Sequence, residues 1–495
     1  MEKNYKTKVF SNLAWRLAER YGAQIVQFIV SIVLARILMP EIYGTVALVT
    51  IFITILQVFI DSGFGSALIQ KKDADDLDFS TVFYFNVVLC CVLYLGIFFL
   101  APVIANFYDN TLLTPIIRVL SLSIIFSSLK NVQQAYVSRN LQFKKFFFAT
   151  LFGTIVSAVV GILMAKKGYG VWAIVAQNLT NLALDTLILW ITVKWRPKLM
   201  FSFTRLKSLF SFGWKLLVST LIDTLYNNLR QLLIGKKYSA TDLAYYNKAE
   251  QFPRIVATGI NSSIDSVLFP VLSKEQEDKN RVKTMTARSI KTTSFLIAPI
   301  MIGLAATAPG VIKLILTDKW IFAVPFLQIF CLDYMFFPIH TANLSALRAI
   351  GRSDLFLRIE IIKKIVGLTI LFITMWFGVY AIAWGLFITS IIATFINSYP
   401  NKKLLGYSYF KQIKDILPNI LNALFMGVCV WFIGLIKINY ILLLFIQVLV
   451  GVVVYILLSI IFRNETLKYL LNIVKDFLRK RKNNTGEKDE TNISN

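Results

Sequence analysis

The sequence contains few charged residues, few cysteines and a single histidine. Only 16% of its 495 residues are charged, whereas soluble domains average about 25%, so a soluble enzyme is not predicted. The four cysteines lie inside apolar runs and form no CxxC pair, which argues against a disulfide framework and a thiolate metal site. A lone histidine also excludes a histidine-rich metal site. We therefore predict neither a bound metal nor a cofactor.

Catalytic motifs are missing as well. The sequence has no Walker A, GxGxxG, HExxH, GxSxG or EF-hand pattern. Without a nucleotide-binding loop, the chain does not use ATP in the P-loop manner, so a gradient or the reaction of a partner must drive any transport. We predict that the protein is not an enzyme.

Long apolar runs dominate what is present. Hydrophobic residues make up 57% of the chain, and because a transmembrane helix needs about 20 of them, they suffice for about fourteen spans. The first run, 21–38, is longer than the apolar region of a cleavable signal and is interpreted as a span. The predicted spans lie near 10–37, 41–69, 79–106, 112–138, 146–165, 171–193, 208–234, 248–272, 289–316, 321–347, 355–376, 379–399, 416–436 and 439–462.

The net charge of +25 is distributed unevenly over the loops between these spans. The two termini and the loops that share their side carry 34 Lys and Arg residues, and the opposite loops carry six. Because cytoplasmic loops accumulate Lys and Arg, we predict a multi-pass protein of the bacterial plasma (inner) membrane with both termini in the cytoplasm. The loops account for most of the charge, so we expect membrane lipids and not nucleic acid as partners.

A weak internal repeat predicts two related halves. SNLAW at 11–15 and SFGW at 211–214 both open long spans, and PEIYG at 40–44 and ATDLAYYN at 240–247 follow at similar distances. Internal duplication is common in transporters, whose substrate sites lie between the repeats. We predict an all-α polytopic membrane protein with about 14 transmembrane helices, in two bundles of six plus two C-terminal helices. The predicted parts are 1–193 (first bundle), 194–207 (basic cytoplasmic linker), 208–400 (second bundle), 401–462 (last two spans) and 463–495 (cytoplasmic tail).

The tail begins with a helical pattern. Leu467, Leu470, Leu471 and Val474 recur at the spacing of one helix face, and four consecutive basic residues follow at 479–482. This pattern predicts a basic amphipathic helix on the anionic cytoplasmic leaflet, followed by a disordered end.

Ionisable residues inside the spans are the strongest functional signal. A charge at the bilayer centre costs about 2.5–3.5 kcal/mol on insertion scales, so such residues are usually functional or paired. If the halves face each other, cations of the first, seventh and eighth spans line one central cavity suited to an anionic substrate, because guanidinium groups bind phosphate oxygens in pairs. The predicted substrate-binding residues are Arg16, Arg20, Lys215, Arg230 and Arg254. The predicted coupling or structural carboxylates are Glu19, Asp61, Asp223, Asp265 and Asp333.

Several of these residues also have a purely structural interpretation. Arg16 and Arg20 are four residues apart and equally fit anchors at the cytoplasmic interface. Asp61 precedes Ser62 and Gly63, so it also fits the cap of a broken helix. Asp333 also fits a paired structural carboxylate.

Two segments resemble a known transporter family. The opening, SNLAWRLAERYGAQIVQFIVSIVLARILMPEIYG, resembles the first span of Wzx-type polysaccharide flippases, where a LAR.L.P...G pattern leads into the second span. DSGFGSALIQ at 61–70 resembles the D-x-G-x-x-x-A-(L/I)-(I/V)-Q continuation. The resemblance covers residues 8–462 and is closest to the lipopolysaccharide, colanic-acid and teichuronic-acid branch of the multidrug/oligosaccharidyl-lipid/polysaccharide exporter superfamily.

The resemblance implies a function. Members of this family move undecaprenyl-diphosphate-linked oligosaccharide repeat units to the outer leaflet for lipopolysaccharide, capsule or exopolysaccharide synthesis. The sugar and the diphosphate would cross through a polar cavity by alternating access of the two halves, and the cations listed above would hold the diphosphate. The implied partners are this lipid-linked oligosaccharide, a polysaccharide polymerase and glycosyltransferases.

Two other functions remain open at this point. A cation-coupled drug antiporter of the same superfamily would have twelve core spans and coupling carboxylates, whereas this chain has fourteen predicted spans and an Arg-rich first span. A membrane glycosyltransferase or polymerase would have a large polar outer loop or an acidic catalytic cluster, and the longest outer loop predicted here has about a dozen residues, near 235–247.

Overall fold

A computed structural model describes residues 22–61, 64–140, 142–436 and 438–472, together with the single residues 15 and 475. Within them the secondary structure is helical, without strands. The helices are α1 (Gly22–Ile37), α2 (Pro40–Asp61), α3 (Phe64–Gln70), α4 (Asp76–Phe107), α5 (Leu113–Leu120), α6 (Leu122–Arg139), α7 (Phe143–Lys166), α8 (Val171–Thr192), α9 (Phe203–Lys237), α10 (Ala240–Lys274), α11 (Lys279–Ala306), α12 (Ala308–Leu316), a 3₁₀ helix (Asp318–Ala323), α13 (Val324–Tyr334), α14 (Phe337–Ala349), α15 (Ser353–Thr374), α16 (Val379–Leu405), α17 (Tyr409–Ile433), α18 (Tyr440–Ile461) and α19 (465–472).

Every predicted span coincides with at least one of these helices. In the described part of the chain, eleven helices are long and apolar enough to cross a membrane. The other three predicted spans correspond to α1, α9 and α15. The all-α multi-span fold is therefore confirmed, and the helices are consistent with fourteen spans.

Several helices begin well before the predicted spans. Helices α9, α11 and α17 start near residues 203, 279 and 409, where the hydropathy pattern predicts 208, 289 and 416. Just before these starts, the side-chain oxygens of Ser202, Asp278 and Ser408 accept hydrogen bonds from backbone N–H groups of the first helical turn. These N-caps start the helix in the polar region, whereas hydropathy marks only its apolar part.

The chain divides into two compact units, Met1–Tyr245 and Tyr246–Asn495. The division falls inside α10, so α9 groups with the N-terminal helices. The predicted domain boundary at the 194–207 linker stays a prediction.

In the first unit, small residues allow helices to approach closely. Ala149, Gly153, Ser157, Gly161 and Ala165 recur every fourth residue on α7, and all are buried. A Cβ on Gly161 would lie 2.9 Å from Cβ of Gln177 on α8. Such small-residue seams replace the hydrophobic driving force that is absent between helices in lipid.

One end of the first unit is held together by the basic loops. Lys71 and Arg205 lie 2.5 Å and 3.7 Å from a carboxylate oxygen of Asp78 at the start of α4. Arg139 donates to the carbonyls of Leu68, Lys71 and Lys72. Lys198 of the 194–202 segment lies 2.6 Å from Asp76. The chain around Lys71, Arg139 and Lys198 therefore meets at one end, as the predicted topology requires.

The second unit contains a buried polar network between α14, the end of α16 and the start of α17. The amide of Asn343 on α14 donates to Gln412 at 2.7 Å, and Gln412 donates back at 3.0 Å. Asn401 donates to Asn343 at 2.6 Å, and Ser398 donates to Gln412 at 2.9 Å. Because buried polar groups are costly unless paired, this reciprocal network fixes the register of α14, α16 and α17.

Candidate substrate site

The predicted site residues fall into three groups. Arg16, Glu19 and Arg20 lie outside the described residues. Asp61 ends α2, and its side chain also lies outside them. The other predicted site residues are placed by the structure, on α9 and α10 and in α13.

Helix α9 carries a polar stripe. Lys215, Ser219, Asp223 and Asn227 follow one another at intervals of four residues, and Arg230 lies on the same face. Except for Arg230, which is half-buried, these residues are exposed. The hydropathy of α9 falls below that of the eleven apolar helices, although its 35 residues are enough to cross a membrane. If α9 is a span, this polar face would meet water or a polar ligand and not lipid, because charges that face lipid are costly.

Arg230 is the most distinctive residue of the stripe. Its Nε is buried and has no hydrogen-bond partner within the described residues. A buried guanidinium nitrogen without a partner is costly. An anionic ligand atom would satisfy it, and the fork of Arg suits phosphate oxygens.

Helix α10 carries a second polar stripe, in the other unit. Glu250, Arg254, Thr258, Asn261 and Asp265 follow at intervals of three or four residues. Arg254 is exposed, and Glu250 accepts a hydrogen bond of 3.1 Å from Tyr334 at the end of α13.

Of the two carboxylates predicted in this unit, Asp265 has contacts to α14 and Asp333 is buried. Asp265 accepts from Ser345, and Arg348 lies 3.0 Å and 3.1 Å from its two oxygens. Asp333 is 7% exposed. The bond from Asp265 to α14 supports the structural interpretation for that residue.

The structure thus brings Lys215, Asp223 and Arg230 together on α9, and Arg254 lies in the other unit. The convergence of all five cations on one cavity stays a prediction. Within the described residues, no group of three or more His, Cys, Asp or Glu residues is arranged to hold a metal ion.

A buried ion pair was missed by the sequence analysis. Lys130 on α6 lies 2.8 Å from Asp185 on α8, with side chains 15% and 8% exposed. Asp185 lies inside an apolar run, and this intramembrane charge was the available signal. Its partner, 55 residues away, could not be inferred from spacing.

The start of α2 contacts the end of α9 through glycines. A Cβ on Gly44 would overlap the carbonyl of Ala240, and a Cβ on Gly235 would overlap the side chain of Leu48. We call these four residues the glycine junction. Glycine at positions 44 and 235 allows this approach, because it has no side chain.

Polar contacts flank the glycine junction. Lys236 lies 3.0 Å from Asp109, and Tyr108 donates a hydrogen bond of 3.4 Å to the carbonyl of Leu232. Burial raises the pKa of Tyr108 to about 12, so its hydroxyl stays a donor at physiological pH. The end of α9 is therefore held to both α2 and the α4–α5 turn.

Comparison with known proteins gives consistent matches. A family model described as polysaccharide biosynthesis protein matches residues 33–325. The teichuronic acid biosynthesis protein TuaB of Bacillus subtilis is 26% identical, over 75% of this chain and 78% of TuaB. The lipopolysaccharide biosynthesis protein WzxC of Escherichia coli is 23% identical, over 80% of this chain and 83% of WzxC. The lipid II flippase MurJ, in an inward closed conformation, superposes with a TM-score of 0.72 at 18% identity, over 91% of this chain and 99% of MurJ. This last likeness concerns the fold alone.

Proposed function

The chain belongs to the polysaccharide biosynthesis protein family, and from this premise we propose that it moves an undecaprenyl-diphosphate-linked oligosaccharide from the inner to the outer leaflet of the bacterial plasma membrane. The resemblance of 11–44 and 61–70 to Wzx-type flippases is confirmed by the family match and the curated relatives. The protein is a multi-pass membrane protein of this family. The identity of its cargo and its route are the proposal.

The observation that supports this cargo most directly is the polar face of α9. Lys215 and Arg230 lie on one face of a helix long enough to span the membrane, where charged side chains need a polar partner. The buried Nε of Arg230 needs a hydrogen-bond acceptor. A diphosphate supplies several anionic acceptors on one small group. The polyprenyl chain would remain in lipid, so only the headgroup needs a polar path.

Alternating access supplies the transport step of the proposal. The glycine junction would seal the outer side while the cavity is open to the cytoplasm, and its separation would release the headgroup outward. The close backbone approach at Gly44 supports a seal, because it leaves no space for a polar headgroup to pass.

The proposed orientation places both termini in the cytoplasm. The basic segments around Lys71, Arg139 and Lys198 meet at one end of the first unit, which supports their lying on a single side. The 34-to-6 distribution of Lys and Arg assigns that side to the cytoplasm.

Charge removal tests the proposed function. Arg230→Ala would remove a charge-assisted contact whose net value is about 1.5–3 kcal/mol, which is roughly one to two decades in affinity. Arg230→Lys would restore part of the activity, because it keeps the charge and loses the fork. The measurement is accumulation of lipid-linked repeat units at the inner leaflet, with protein level checked by blotting.

Lys166→Ala is the matched control, because it removes a cation at the end of α7, away from the stripe. Normal export by well-expressed Arg230→Ala and Lys215→Ala variants would contradict the cationic path. The family assignment would then stand without a binding site.

A further inference from the structure

The second unit contains a basic cavity that the proposed transport path does not include. It has a volume of about 450 Å³ and lies between the start of α11, the start of α17 and α19. This volume is within the range of about 300–1,000 Å³ typical of ligand pockets. Its cations are Lys283, Arg288, Lys291, Lys411 and Lys414.

Helical spacing explains why these cations face the same space. On α11, Lys283, Arg288 and Lys291 lie within nine residues and share one broad face, together with Thr284. On α17, Lys411 and Lys414 are three residues apart, so they lie on the same side of the helix, and both line the cavity. The cavity therefore receives donors from two packed helices.

Within the described residues, both carboxylates of the cavity are ion-paired with the same cation, Lys291. Lys291 lies 3.1 Å from Asp415 and 3.7 Å from Glu465. Tyr407 also donates to Asp415, at 2.7 Å, and burial raises the pKa of this hydroxyl above its usual value, so it remains a donor. Asp415 is thus shared between an ammonium group and a hydroxyl.

The remaining four cations have no ion pair within the described part of the chain. Arg288 lies over the ring of Tyr469, 4.7 Å from its centroid, which leaves its charge uncompensated. Five cations and two carboxylates line the cavity, so three positive charges are in excess. Concave sites lined by one sign of charge concentrate counter-ions, and a phosphate group matches both the charge and the donors.

An apolar surface adjoins the cavity on α17. Phe410, Leu417 and Leu421 are 78%, 43% and 55% exposed, and by helical spacing their face borders that of Lys414. This side of α17 contacts lipid when the helix spans the membrane. A ligand with a phosphate in the cavity and acyl chains along α17 would match both surfaces.

We propose that this basic cavity binds the phosphate headgroup of an anionic phospholipid of the cytoplasmic leaflet. Basic pockets between transmembrane helices on that side are suited to such headgroups. The bound lipid joins α19 to α11 and α17, because all three line the cavity. The proposal is independent of which molecule the protein transports.

The test uses the purified full-length protein in detergent. Phosphatidylglycerol is expected to raise its unfolding temperature, because a ligand that binds the native state stabilises it, and phosphatidylcholine is expected to have little effect. The variant Lys283→Gln/Lys411→Gln/Lys414→Gln is expected to bind phosphatidylglycerol at least about tenfold more weakly, because each lost charge-assisted contact is worth about a decade.

The control variant Lys72→Gln/Lys274→Gln/Lys402→Gln removes the same charge from exposed positions outside the cavity, and it should bind like the unaltered protein. A triple Lys→Arg variant of the cavity should retain binding, which separates a lost site from a folding defect.

Three results would overturn the proposal. Equal loss of binding in the control variant would mean general surface attraction. Equal protection by inorganic phosphate would mean a simple anion site. Protection by undecaprenyl diphosphate without protection by phosphatidylglycerol would assign the cavity to the transported lipid.

Discussion

Gly44→Ala would separate the start of α2 from the start of α10. The added methyl group would overlap the carbonyl of Ala240, and because this atom belongs to the backbone, α2 must move away. Overpacking of this kind costs about 1–3 kcal/mol. In the proposed alternating-access cycle this cost applies only while the glycine junction is closed, so the ratio of closed to open states should fall about 5- to 150-fold.

Helix propensity does not change this expectation. Alanine is favoured over glycine inside a helix by about 0.5–1 kcal/mol, but α2 remains a helix in both states, so this term cancels from the ratio. Gly96→Ala on α4 is the matched control, because nothing lies within 4 Å of the added Cβ.

The assay is disulfide formation between Leu48→Cys and Gly235→Cys, in membranes and in a background without the four native cysteines. These two positions are in contact in this structure and would separate in the proposed open state, so Gly44→Ala should slow cross-linking and Gly96→Ala should not. Cross-linking of Gly44→Ala at the control rate would refute the steric argument. Equal slowing by Gly96→Ala would show that the effect does not arise from the contact at the glycine junction.

Three further outcomes are expected. Lys130→Met should destabilise the protein by about 3–5 kcal/mol by leaving Asp185 charged and buried, and the double variant with Asp185→Leu should recover most of it in a thermal unfolding assay. Reporter fusions at Lys237 should be active outside the cytoplasm and those at Asn401 inside it; the reverse pattern would contradict the topology. Asp75 is the N-cap of α4, and its side chain accepts a hydrogen bond from the backbone N–H of Asp78, which lowers the pKa of Asp75. The stability from this cap is therefore present above the unfolded pKa of about 3.9 and is lost as pH falls through the lower folded pKa. Asp75→Asn should flatten that acid-limb dependence in unfolding measurements, and an unchanged slope would contradict it.

The candidate site was partly predictable. The sequence analysis places Lys215, Asp223 and Arg230 in one span, and in the structure all three lie on one face of α9. The sequence could not predict that Nε of Arg230 is buried without a hydrogen-bond partner among the described residues, because this depends on which groups surround it in space. The pairing of Asp265 with Arg348, 83 residues away, was also beyond any local pattern.

The amino-acid sequence by itself determined the membrane-spanning architecture. A bilayer acts on each segment separately through its length and hydrophobicity, so about fourteen apolar runs and their basic loops predict the helices one at a time. The tertiary structure alone decided which charges are paired and which have no ion pair within the described residues. Lys283 and Lys411 line one cavity although 128 positions separate them in the chain, because helix packing joins surfaces through space and leaves no periodic trace along the sequence.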